Sequence, residues 1–216
     1  MKASKRWRVA QYFESRWWKN YLKHKDIATY LSWKKQYWEK LLDQIKSEVN
    51  LREGMQILDA GCGPAGIFIA LAPFEVTAID PLLDTYQQEL AHFDPNMYPH
   101  VTFRTLPLEQ FEDKAQFDLV FCLNAINHVS DLNEGFLRLY NSAKKGGILV
   151  VSIDAHNHRF FKHLFRLQPA DILHPHQYDL NEYEEMLTRL NCSILRAMQI
   201  KKEFLFNHYV LVARKD

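Results

Sequence analysis

The stretch Gly61-Cys62-Gly63-Pro64-Ala65-Gly66 constrains this chain more than any other. It fits G-x-G-x-x-G, follows the short apolar run Ile57-Leu58 with its Asp59-Ala60 ending, and precedes Ile67 to Leu71, which reads as a helix. Glycines in a strand-to-helix turn adopt conformations closed to other residues and let a ligand approach the backbone. Asp80 lies nineteen residues beyond Gly61, at the end of a second strand-like run, Val76-Thr77-Ala78-Ile79. A carboxylate there can accept hydrogen bonds from both hydroxyls of an adenosine ribose. Together the two features point to a nucleoside held at strand tips.

The texture then repeats. Val101 to Thr105 reads as a third strand, Phe117 to Leu123 as a fourth and Ile148 to Ile153 as a fifth. The continuous apolar run of the fourth marks a strand buried on both faces. Leu83 to His92 and Leu132 to Ala143 read as helices, the second stopping at Lys144-Lys145-Gly146-Gly147, basic residues then glycine. Strands alternating with helices give right-handed βαβ units and a parallel sheet. A last helix, Asn181 to Leu190, leads into Cys192 to Ile200 and Phe204 to Ala213. The short connection Lys201-Lys202-Glu203 predicts that these two runs pair antiparallel and close one edge of the sheet.

Ahead of the first strand, no Gly or Pro interrupts the chain from Trp7 to Leu51. Tyr30, Trp33, Tyr37 and Leu41 recur at helical spacing, as Phe13, Trp17 and Tyr21 do earlier, with a break near Lys25-Asp26. Two or three helices are expected over residues 8–49. Residues 1–46 hold twelve Lys/Arg against four Asp/Glu, a balance of +8, and the remaining 170 hold fifteen against twenty-two, a balance of −7. Such a split predicts a basic segment packed on an acidic body or meeting an anionic partner, and two solvated faces would give the same count. No window of 18 residues is apolar and uncharged, which argues against integral membrane association, and the start lacks the apolar core of a secretory signal. Three scattered cysteines, Cys62, Cys122 and Cys192, form no disulfide framework, so a cytoplasmic location is expected.

Asp59 separates two nucleoside ligands that fit equally well so far. A pyrophosphate on a helix N-terminus wants positive surroundings, and a carboxylate beside it repels charge. S-adenosylmethionine has no phosphate and carries an ammonium and a sulfonium, which an acidic strand tip attracts directly or across a water. The methyl donor therefore fits better than a nicotinamide dinucleotide.

Four segments in order carry a family resemblance. Ile57-Leu58-Asp59-Ala60-Gly61-Cys62-Gly63 resembles the first motif of class I S-adenosylmethionine-dependent methyltransferases, and Val76 to Pro81 resembles their acidic second-strand motif. Phe117-Asp118-Leu119-Val120 with Asn127-His128-Val129-Ser130-Asp131 is similar to the fourth-strand motif, and Gly146-Gly147-Ile148-Leu149-Val150 to the fifth strand. The resemblance covers residues 55–153. It implies an α/β, Rossmann-like, mostly parallel seven-stranded sheet with an antiparallel C-terminal strand and helices on both faces, to which the helices expected ahead of the first strand add an N-terminal helical cap. Residues 1–50 would form that cap and 51–216 the S-adenosylmethionine-binding domain. By the same resemblance Asp59, Gly61 and Gly63 would line the methionine portion and ribose, and Asp80 would bind the ribose hydroxyls. Pro81 and Leu82 would flank the adenine, Leu108 and Glu109 would contact it, and Asn124 would meet the donor's amino-acid part. One departure stands out: Ala65 holds the usual third-glycine place and Gly66 follows it.

Methyl transfer from a cationic sulfur is an in-line displacement by an activated donor, so the enzyme chiefly positions the acceptor and excludes water. His128 is the candidate base where the acceptor must lose a proton, and helix capping or a backbone bond would use the same imidazole. Asn127 would orient substrate. In quinone O-methyltransferases that look similar, acidic residues at this motif help hold a metal; Asn124 and Asn127 stand here, which implies no metal. The insertion after the fifth strand carries His156, His158, His163, His174 and His176, and with Asp154 it suits acceptor binding better than a zinc site. Trp17 and Tyr21 head an aromatic stripe expected to cover the donor against water, although most such rings pack in cores. The expected function is metal-independent methyl transfer to a small-molecule acceptor, with S-adenosylhomocysteine as product. The alternatives are a nucleic-acid-directed methyltransferase, which the acidic body disfavours, and a catalytically inactive S-adenosylmethionine-binding partner protein. The acceptor and the oligomeric state are not legible.

Overall fold

The structure, a computed structural model, describes residues 5–156, 178–202 and 206–216, and side chains for all of these except 5–8, 156 and 206. Two helices open it, α1 (Lys5–Leu22) and α2 (Ile27–Gln44). The break between them falls at the expected place because Asp26 caps α2, its carboxylate accepting from the Thr29 amide at 2.9 Å. The strands follow as β1 (Gln56–Ala60), β2 (Glu75–Ile79), β3 (Val101–Arg104), β4 (Phe117–Cys122), β5 (Ala143–His156), β6 (Cys192–Lys202) and β7 (Phe206–Lys215). Helices α3 (Leu83–Glu89), α4 (Leu132–Ser142) and α5 (Leu180–Arg189) lie between them.

All seven strands form one sheet in the order β3-β2-β1-β4-β5-β7-β6. Strands β1 to β5 pair in parallel, and β7 runs antiparallel between β5 and β6. The chain winds outward from β1 to β3, then restarts from β4 in the other direction. The crevice at the carboxyl ends of β1 and β4 is thus the topological switch point where such sheets bind ligands.

Alternation along each strand sends successive residues to opposite faces. Ile57, Ala78, Phe121 and Val150 pack on one face against Leu22, Tyr30, Trp38, Leu41 and Ile45 of the N-terminal segment. Leu58, Ile79, Val120 and Leu149 pack on the other against Phe136 and Leu139 of α4 and Tyr183 and Leu187 of α5. The N-terminal helices therefore share a core with the sheet.

Three local expectations are corrected. Ile67 to Leu71 forms no α-helix; two 3-10 turns, Gly63–Ala65 and Ile67–Ala70, carry the chain toward β2. Only eight residues, one of them Pro73, separate Gly66 from Glu75, too few for a long crossover helix. Helix α2 covers this connection instead, and the Trp38 indole Nε1 donates to the Ala65 carbonyl at 3.0 Å. Lys144 to Gly147 are not a helix stop outside the sheet but part of β5, where the pairing jumps from Phe117↔Ala143 to Leu119↔Ile148. This is a bulge, eased by Gly146 at φ 77° and held by the Lys144 ammonium on the Asp118 carboxylate at 2.8 Å. Helix α3 stops at Glu89 rather than His92, whose Nε2 lies 2.9 Å from the Lys25 carbonyl in the α1–α2 connection.

Candidate functional site

A cavity of about 510 Å³ lies over the carboxyl ends of β1, β2 and β4, with α1 and α2 as its roof. Its floor is the glycine turn. Gly61 adopts φ 72°, and a Cβ there would stand 2.3 Å from the Ala125 Cβ, so glycine lets the β1 and β4 tips close on each other. At the next tip Asp80 is 5% exposed. Its two oxygens accept from the Gly63 amide at 3.0 Å and the Leu82 amide at 2.9 Å, which fixes the carboxylate beside the turn. Burial pushes its carboxyl up to about 6.

Asp59 is placed differently from the expectation that it lines the ligand. It is 1% exposed, is not among the residues that line the cavity, and accepts from the Phe68 amide at 3.1 Å behind the turn. This placement explains the shifted third glycine. A Cβ on Gly66 would stand 2.5 Å from Asp59 Oδ2 and 2.5 Å from the Cys62 carbonyl oxygen, so glycine is required where the carboxylate passes. Burial raises the Asp59 carboxyl to about 7.

Gly61, Gly63, Asp80, Pro81, Leu108, Glu109, Asn124 and His128 all line the cavity, as do Trp17 and Tyr21 from α1. Asn124 sits at the tip of β4 with φ 55°, its amide donating to Ser152 Oγ at 2.6 Å. Glu109 Oε1 accepts from the Ser130 amide and hydroxyl at 2.7 and 2.8 Å, tying the loop after β3 to the loop that carries His128. Leu82 and Asn127 are not among the lining residues. Leu82 packs against the core, and Asn127, 4% exposed, donates to the Asp154 carbonyl at 3.3 Å. Asp154 is also absent from the lining and pairs through its carboxylate with His208. The His156 side chain and all of His158, His163, His174 and His176 lie outside the described residues.

Two residues that the sequence reading did not single out enter from the roof. Glu14 of α1 lines the cavity, accepts from Gln11 Nε2 at 3.2 Å, and is raised to about 8 by burial and then by the charge of Asp80. Lys34 of α2 lies in the same cavity with its ammonium 4.6 Å from the Trp38 ring centre and 5.3 Å from that of Tyr37. Burial lowers it to about 8. A signal was available: each charge stands four residues before an inward-facing tryptophan, Glu14 before Trp18 and Lys34 before Trp38.

Cys62, Cys122 and Cys192 are free and buried. Among the described residues no group of three His, Cys, Asp or Glu side chains is arranged to hold a metal ion, and no helix is long and apolar enough to cross a membrane.

Residues 58–149 match the family described as a methyltransferase domain. The chain is 34% identical over 114 residues to the ubiquinone biosynthesis O-methyltransferase of Rickettsia bellii (strain OSU 85-389), a match covering 52% of this chain and 47% of that protein. The chain spans about half the length of the curated relatives it matches. Among solved structures, the magnesium protoporphyrin IX methyltransferase of Synechocystis with bound S-adenosylhomocysteine superposes with a TM-score of 0.59 at 22% identity, over 84% of this chain and 83% of that one. The Burkholderia thailandensis 1,6-didemethyltoxoflavin N1-methyltransferase, solved with bound 1,6-didemethyltoxoflavin and S-adenosylhomocysteine, gives a TM-score of 0.61 at 15% identity, over 100% and 92%. At these identities the structural likeness concerns the fold.

Proposed function

We propose that the chain, whose residues 58–149 match a methyltransferase domain, transfers the methyl group of S-adenosylmethionine to a small molecule. The observation that carries this reading is the Asp80 carboxylate fixed beside a glycine floor inside a closed-over cavity. That site offers acceptors to two ribose hydroxyls and close backbone approach to the rest of the donor. When bound, the donor supplies a methyl group already activated by its cationic sulfur.

The chain's own residues then have three tasks. Asp80, Gly61 and Gly63 hold the nucleoside; Pro81 and Leu108 flank its base; Asn124 meets its amino-acid part. Helices α1 and α2, as a cap over residues 51–216, keep water from the sulfur with Trp17 and Tyr21, which stack at 4.8 Å and 8°. His128 takes the proton of an acceptor that must lose one, and the displacement runs in line without a metal. Asn127 acts on the acceptor side by holding the Asp154 carbonyl, and so positions the end of β5, where His156 begins the proposed acceptor-binding segment. The 34% identity to an O-methyltransferase of ubiquinone biosynthesis supports a hydroxyl as the methylated group.

Calorimetry with S-adenosylhomocysteine, and with nicotinamide dinucleotide as the competing nucleoside, tests the donor. Binding of the first and not the second is expected; the reverse would overturn the reading. Transfer of radiolabelled methyl from S-adenosylmethionine to phenolic acceptors, with and without a chelator, tests the chemistry. Equal rates in both conditions are expected.

A further inference from the structure

Over residues 9–17 helix α1 is turned inside out. Its polar side chains face the body: Gln11 and Glu14 line the cavity, and Ser15 donates to Glu89 of α3 at 3.4 Å. Its apolar ones face out, with Val9, Tyr12, Phe13 and Trp17 exposed by 44, 59, 49 and 52% at the spacing of one helical stripe. A surface helix ordinarily buries its apolar stripe and shows its polar one to water. The rings continue across the helix pair, their centres stepping 4.8 Å from Trp17 to Tyr21 and 6.2 Å to Tyr30. From Tyr30 the steps are 5.9 Å to Trp33 and 6.2 Å to Tyr37. Trp17 and Trp33 are both exposed and both line the cavity, so this surface borders its mouth.

The charges among these rings are mostly positive. From Val9 to Tyr37 the chain carries six Lys/Arg against two acids, Glu14 and Asp26. Glu14 and Lys34 are both turned to the cavity, and Lys19 pairs with Glu89 at 3.2 Å. Arg16, Lys23, Lys25 and Lys35 remain exposed on the outside, against Asp26 alone. Arg16 Nη1 donates to the Tyr12 hydroxyl at 3.3 Å, and Lys25 Nζ lies 4.4 Å from the Tyr21 ring centre. Cations and exposed rings therefore share one face.

We propose that the outer face of α1 and α2 docks on an anionic lipid surface, with Val9, Phe13 and Trp17 entering the headgroup layer and the flanking cations meeting lipid phosphates. Tryptophan and tyrosine settle at that depth because one edge of the ring is apolar and the other polar, and basic side chains are drawn to the anionic leaflet. Contiguous exposed apolar side chains rimmed by charge mark a surface that something covers. A second copy presenting the same face would bring like charges together. A nucleic acid would stack on the rings but gain nothing from Val9, and beyond the helices it would meet a body whose balance is −7. The proposal goes beyond methyl transfer and does not depend on the donor assignment.

Cosedimentation of the full chain with vesicles tests it. Vesicles of phosphatidylglycerol and phosphatidylcholine in equal parts are expected to bind the protein at least about tenfold more tightly than phosphatidylcholine alone. That binding should weaken as salt rises, and tryptophan emission should shift to the blue on the anionic vesicles. Val9→Gln combined with Phe13→Gln alters two side chains outside the cavity lining. It should weaken binding to the anionic vesicles about tenfold and leave the unfolding temperature near wild type. Arg16→Gln with Lys23→Gln should weaken it by a similar factor, and this pair stands in if the first does not fold. No binding of the wild-type chain to anionic vesicles would overturn the proposal. So would unchanged binding of a folded Val9→Gln, Phe13→Gln variant, which would leave adsorption by charge alone. Binding to polyuridylate with none to vesicles would assign the face to nucleic acid, and a dimer in sedimentation velocity that the Val9 and Phe13 changes dissolve would assign it to a second copy; either overturns the lipid reading.

Discussion

Gly66 and Asp59 illustrate how one residue's freedom serves another's placement. The carboxylate reaches the Phe68 amide only because nothing projects from position 66. Gly66→Ala would set a methyl 2.5 Å from both the carboxylate and the Cys62 backbone oxygen, and the backbone has no flexible end to yield. A destabilisation of about 1–3 kcal/mol is expected, read from the denaturant midpoint. A midpoint equal to wild type would mean that the turn is looser than its contacts imply. At the neighbouring tip, Asp80→Ala removes the acceptor of two backbone amides together with the proposed ribose contacts. We expect donor affinity to fall at least about tenfold by calorimetry, since charge-assisted bonds of this kind are each worth about 1.5–3 kcal/mol.

Helices α1 and α2 act as elements rather than as collections of residues. Their inward faces supply Leu22, Tyr30, Trp38 and Leu41 to the core, while Trp17 is 52% exposed at the cavity mouth. Trp38→Phe keeps the ring packing and deletes the bond to Ala65, leaving a carbonyl at the glycine turn without its donor. A loss of about 1–3 kcal/mol in unfolding free energy is expected. Trp17→Ala leaves the core intact and opens the mouth, so it should slow turnover while the unfolding temperature stays near wild type. Wild-type kinetics in that variant would remove the lid from the mechanism.

Across the whole molecule, three carboxyls gather around one cavity. Asp80, Asp59 and Glu14 are raised to about 6, 7 and 8, in each case chiefly by burial. An acid whose folded pKa is raised holds its proton longer in the folded chain than in the unfolded one. The stability this gives is present at low pH and is lost as pH climbs from the ordinary carboxylate range toward about 8. Asp26 and Asp118 are shifted downward, so their contribution changes only below that window. The ligand-free protein should accordingly unfold at lower temperature at pH 8 than at pH 5, as a fluorescence melting series would record. A flat or rising profile would show that these groups are better solvated than their positions indicate.

The sequence by itself determined the strands and the glycine turn proposed to hold a nucleoside. These are local: a buried strand needs an apolar run, a tight turn needs glycine, and a carboxylate at a strand tip stays within reach of that turn. Trp17, Tyr21, Asn124 and His128 were legible as lining for the same reason, through periodicity or adjacency to a strand end. Tertiary structure alone decided what Asp59 touches, that α2 covers the short connection after Gly66, that Lys144 to Gly147 join β5, and that Glu14 and Lys34 enter the cavity. In each of these the deciding partner is distant in sequence or belongs to another element. A charged residue on an aromatic helix reads as solvated until the opposing surface is known, because burial belongs to the pair of surfaces and not to the helix.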